Sequence, residues 1–170
     1  MLKKSFFPKK KMSSKPSALD RFFSNAQGLF DLIYDFVFVA NKRGIKTVEP
    51  EIVKFAGVVI FTALNKELVI KKFIEKSYDH WDKISKKDEM FFLDHAQDVF
   101  VGLPLEDVNA FRQLFIVPDA LTEDDKDTLW EYFESLIRIS IIYLHENPEI
   151  ADDLAIDTVE EDAKKWNLKL

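Results

Sequence analysis

An all-α, single-domain bundle is the fold this sequence predicts, and three observations carry the prediction. Apolar residues recur at spacings of three and four from Ala18 to Leu144. Ser, Thr and Pro stand where helices would begin, with Gly or Pro where they would end. The 170 residues include only 4 Gly and 6 Pro, too few for the many tight turns of an all-β fold. A chain of this length buries roughly two-thirds of its unfolded surface as one domain. The expected architecture is about six to eight helices around a central apolar helix, at about residues 50–64. Two stretches are set apart: an extended or disordered basic N-terminal arm, residues 1–16, and an acidic C-terminal segment, residues 147–170, of the helical domain 17–170.

The first helix is expected from about Ala18 to Lys42, capped by Ser17 and closed by Gly44, which accepts a left-handed conformation. Its piece YDFVFVA, aromatic and β-branched, also fits a strand. The second helix starts at Pro50, a favoured first-turn residue, and runs to about Leu64. Ile52, Val53, Phe55, Ala56, Val58, Val59, Ile60, Phe61, Ala63 and Leu64 spread apolar character around most of its circumference. A helix apolar all round has to be surrounded, which predicts that it is the central element of the core. A third helix, about Lys66 to Ile84, carries the stripe Leu68, Val69, Phe73, Ile74 and Trp81. Ser85 with Asp88 three residues on resembles a capping box for a fourth, which Gly102 ends before Pro104 starts a short fifth. Thr122 with Asp125 caps a sixth, whose Leu129, Trp130, Phe133, Leu136, Ile137, Ser140, Ile141 and Leu144 form one broad face up to Asn147. One or two short helices follow in the acidic segment, where Trp166, Leu168 and Leu170 are placed to dock back on the body.

Charge divides the chain unequally. Residues 1–16 hold six lysines and no acid, whereas the remainder holds 18 basic and 30 acidic residues, a net charge of −12. Such a basic arm on an acidic body suits an anionic surface, a nucleic acid or the body of another copy. Phe6 and Phe7 are idle in a solvated tail but useful as anchors in a partner's groove. Lys3, Lys4, Phe6, Phe7, Lys9, Lys10 and Lys11 are therefore the candidate partner-binding residues. With no Cys, disulfides and thiolate metal sites are excluded. The N-terminal stretch lacks the apolar core of a secretory signal, and the longest apolar run, Phe55 to Leu64, falls short of the ~20 residues a membrane span needs. An intracellular location, in cytoplasm or nucleus, or a place in a virion is expected rather than secretion.

Catalytic motifs are absent: no nucleophile elbow, phosphate-binding glycine loop, HExxH or EF-hand. The stretch YDHWDKISKKDEMFFLDHAQDVF holds two of the three histidines, each directly after an aspartate. His80 and His95 fall on different helices, and antiparallel packing would let Asp79, Asp82, Asp94 and Asp98 converge on them. Asp98 shares a helix face with His95 and is placed to orient its imidazole. A metal needs three or four ligands in fixed geometry, and the same letters fit two amphipathic helices with Asp-rich polar faces. The second reading is the expectation, with no catalytic, metal-binding or cofactor-binding residue assigned.

The segment from about Ser77 to Glu146 carries His80, Trp81, Asp88, Glu89, Phe91, Phe92, the Gly102, Leu103, Pro104 turn, Asn109, Ala110 and Phe111. It ends in the block Asp125, Lys126, Trp130, Tyr132, Phe133, Ser135 and Leu136. In these packing residues it resembles uncharacterised helical proteins of nucleocytoplasmic large DNA viruses, a likeness that covers under half the chain and implies no chemistry. The expected function is a non-enzymatic interaction or structural protein, such as a minor capsid-like virion component whose basic arm docks on another capsid or virion protein. The alternative is a nucleic-acid-associated or nuclear regulatory protein using the same lysines as phosphate contacts. A metal-dependent enzyme ranks below both, as does a Bcl-2-like regulator, which only length and a wrapped apolar helix would support.

Overall fold

The structure, a computed structural model, describes residues 15–45, 47–99 and 105–170; within these, the side chains of residues 92, 96, 98, 99, 106, 107 and 110 are not described. Among the described residues it is helical throughout, with no strand, in one bundle. The elements are α1 (Ala18–Lys42), α2 (Pro50–Val58), which runs on as a π-helical turn (Val59–Ala63), and α3 (Lys66–Ser77). A 3-10 turn (Tyr78–His80) leads to α4 (Trp81–Ser85), α5 (Glu89–Val99), α6 (Leu105–Ile116) and α7 (Glu123–Glu146). The short α8 (Pro148–Asp153) and α9 (Val159–Lys165) complete the order.

Helix ends follow local chemistry. Ser17 accepts a hydrogen bond from the Asp20 amide, and Gly44, at φ 80°, turns the chain after α1. The stretch YDFVFVA is helix: Val37 and Ala40 continue the buried face that Leu29 and Ile33 begin, at spacings of three and four, while Phe38 and Val39 fall on the exposed side. At α7, Thr122 Oγ1 accepts from the Asp125 amide (3.2 Å) while Asp125 Oδ2 accepts from the Thr122 amide (2.8 Å), the reciprocal box the sequence predicts. One cap is reassigned. Ser85 ends α4, Lys87 takes a left-handed φ of 52°, and Asp88 caps α5 by accepting from the Phe91 amide at 3.0 Å. Asp88 wins because a carboxylate next to the first helical residue meets the free N–H groups directly.

The centre of the bundle is α7, and the expectation that residues 50–64 fill that place is corrected. Ten residues of α7 are buried, from Leu129 to Leu144, and the helix is packed by α1, α3, α4, α8 and α9. Its one fully buried polar side chain, Ser140, donates to the Leu136 carbonyl at 2.8 Å, so no hydrogen bond is lost inside. By contrast α2 packs chiefly on α1 and buries only Val53 and Gly57. Phe61, on the π turn, is partly buried with its ring edge-on to Phe23 and Phe30, at 5.9 and 5.5 Å. Apolarity around a helix says that its surface is to be covered, not that the helix lies at the centre of the bundle.

The C-terminal segment straps the bundle. Trp166 and Ala163 are buried, Tyr78 Oη lies 2.5 Å from Thr158 Oγ1 and donates to Asp162 Oδ2 (2.9 Å), and Lys165 pairs with Asp82. Trp81 and Trp130 are core residues as well, and Trp81 Nε1 donates to the buried Ser77 hydroxyl at 3.0 Å. Leu168 packs partly on the core, while Leu170 stays exposed.

Candidate interaction surface

Two features stand out from the packed body: a face of α2 that none of the described residues covers, and a cluster of rings around the two histidines. The face follows from helix geometry. Val53, Gly57 and Phe61, four residues apart, point at α1, so positions half a turn away point at solvent. Those positions hold Glu51, Phe55, Val58 and Thr62, with Ile52 beside them. Phe55 is 70% exposed, Val58 52% and Ile52 37%, which is far from ordinary for a phenylalanine in a bundle with room for a core. Leu64, in the extended link after the π turn, and Leu68, in the first turns of α3, are also exposed.

Next to this face a groove of about 350 Å³ runs between α1 and α2. Phe30, Tyr34, Val53 and Phe61 form its apolar walls and Gly57 leaves its floor open, since a Cβ there would meet only ordinary contacts at 3.6 Å or more. Asp31 on the α1 rim and Lys54 on the α2 rim are both exposed. One turn further along α1, Phe38 is 40% exposed, stacked on Tyr34 (6.2 Å) and crowned by the Lys42 ammonium at 4.4 Å.

The histidines are closer than the sequence suggests. His80 closes the 3-10 turn and His95 sits at a kink in α5, where φ −118° and ψ 18° leave helical values. Their ring centroids are 5.0 Å apart, and Phe91 touches both, at 4.7 Å from His80 and 4.8 Å from His95. The acids do not follow them. Asp82 is drawn to Lys165, whose ammonium holds its carboxyl below the usual carboxylate range, and Asp79 and Asp94 are exposed. Asp98 lies outside the described side chains. Among the described residues no three His, Asp or Glu side chains form a group that could hold a metal ion. The N-terminus of α5 is tied to α7: Lys126 pairs with Glu89 (3.1 Å) and Glu123 (3.2 Å), and Lys87 with Asp127 (2.6 Å).

Of the candidate partner-binding residues, Lys3, Lys4, Phe6, Phe7, Lys9, Lys10 and Lys11 lie outside the described residues. The α2 face was not among the expected sites, although its signal was in plain sight: apolar character around most of the circumference of residues 50–64. Among the described residues no helix is long and apolar enough to cross a membrane. Comparison with known proteins adds no name to this surface: no family model, curated protein or solved structure matches the chain.

Proposed function

We propose that the protein acts by binding another protein surface, with the open face of α2 and the adjoining α1–α2 groove as the contact. The observation that carries this reading is Phe55, 70% exposed at the middle of a helix that is apolar around most of its circumference. Exposing such a side chain forgoes roughly 2 kcal/mol of burial, and a cluster of them beside a groove marks a surface meant for cover. An aromatic knob flanked by Ile52 and Val58, with Glu51 one turn before it and Lys54 on the groove rim, also fits the aromatic centre and polar border of an interface.

The basic arm extends the same role. Its six lysines and Phe6 and Phe7 offer a second, charge-driven contact to an acidic partner. The nucleic-acid reading relies on those lysines alone, because residues 17–170 carry −12 and repel phosphate. The viral setting implied for residues 77–146 rests on that resemblance only.

The test is photo-crosslinking in the native source. A photo-reactive phenylalanine analogue at Phe55 is expected to give a discrete adduct, and the same analogue at Glu131, exposed on the far helix α7, none. Position 55 giving no adduct would sink the proposal.

A further inference from the structure

We infer that the occupant of this face is a second copy of the same chain, in a two-fold dimer; the inference rests on reading the α2 face as a contact surface. The first argument is shape. The face offers a knob and a hole side by side: Phe55 projects 70% exposed, and the groove beside it is floored by Gly57 and walled by Phe30, Tyr34 and Phe61. A two-fold axis near α2 lets the knob of each copy fill the hole of the other, which closes the assembly at two.

Charge gives the second argument. The groove carries a carboxylate on one rim, Asp31, and an ammonium on the other, Lys54, and among the described residues neither makes an ion pair. A partner of a single charge sign would satisfy one rim and repel the other. A second copy turned by a two-fold axis presents both signs in reverse order, so that Asp31 of each copy meets Lys54 of its mate.

Sedimentation velocity on the full chain, from low micromolar to submillimolar concentration, tests this. A reversible monomer–dimer equilibrium is expected, with Phe55→Asp raising the dissociation constant more than ~30-fold. Phe55 is exposed, so circular dichroism of that variant should match the parent. Asp31→Lys and Lys54→Glu should each weaken the dimer, and the two together should restore most of the affinity, because the reversed charges again meet their opposites. A chain that stays monomeric overturns the second-copy inference, and so does a dimer indifferent to Phe55→Asp. If such a monomer still gives an adduct from position 55 to a different protein, the contact surface stands and only its occupant changes. If position 55 gives no adduct at all, the contact-surface reading falls with it.

Discussion

Gly28 and Gly57 are two helical glycines that the structure treats in opposite ways. At Gly28 a Cβ would lie 2.9 Å from the Cε1 and hydroxyl of Tyr132, where α1 presses against α7 and Asn25 donates to the Tyr132 carbonyl at 3.1 Å. At Gly57 the same atom would rest 3.6 Å from Phe30. Alanine in a helix is favoured over glycine by ~1 kcal/mol, and forcing a packed side chain aside costs about 1–3 kcal/mol. Gly57→Ala should therefore raise the stability measured by urea unfolding by about 0.5–1 kcal/mol. Gly28→Ala should lower it by about 1 kcal/mol, with part of the loss recovered when Tyr132 is truncated as well. Equal stabilisation by both substitutions would contradict the close approach of α1 and α7. Nothing in the sequence separates these two glycines, since what distinguishes them is a tyrosine about a hundred positions away.

Among the helices, the order of importance differs from the order of hydrophobicity. Residues 50–64 are the more continuously apolar, yet Ile137 on α7 is fully buried while Phe55 on α2 is mostly in water. Ile137→Ala should cost about 2–5 kcal/mol, because it opens a cavity amid packed neighbours. Phe55→Ala should change stability by less than about 0.5 kcal/mol when chemical unfolding is followed at submicromolar chain concentration, where self-association makes no contribution. A larger loss at Phe55 than at Ile137 would return residues 50–64 to the centre of the fold. The caps at Ser17 and Thr122, the stop at Gly44 and the extent of α1 and α7 were legible, since each depends on contacts within one or two turns. The division of the third helix at Ser77 into α3, a 3-10 turn and α4 was not, although it is this turn, with the kink at His95, that brings His80 and His95 together.

At the scale of the molecule, the C-terminal segment binds the bundle through charges whose pH response has a definite sign. Hydrogen bonds from Lys165 to Asp82 and from Lys71 to Asp153 hold both carboxyls below their ordinary value of 3.8. Groups depressed in this way stabilise the fold above that value, and the contribution is lost as pH falls through the lower folded one. The thermal midpoint of the parent should thus exceed that of Asp82→Asn at neutral pH, with the gap closing as pH drops below about 3.8. The gap should be small and shrink with salt, because both pairs are exposed to solvent. A gap that persists unchanged in acid would show that the ion pair is not its source. In the alkaline range burial raises the Tyr78 phenol, so the hydrogen bond it donates to Asp162 lasts past 10.0 and is lost as pH rises through the folded value, whereas the phenolate still accepts from Thr158.

Helix identity and most helix boundaries came from the amino-acid order itself, because periodicity, capping and proline placement act over a few residues. The exchange of central rank between α2 and α7, the meeting of the two histidines and the open face around Phe55 arose only on folding. The hydrophobic effect is non-directional: it requires an apolar surface to leave water without naming the surface that meets it. For α7 that surface is five neighbouring helices; for the outer side of α2 the described residues provide none.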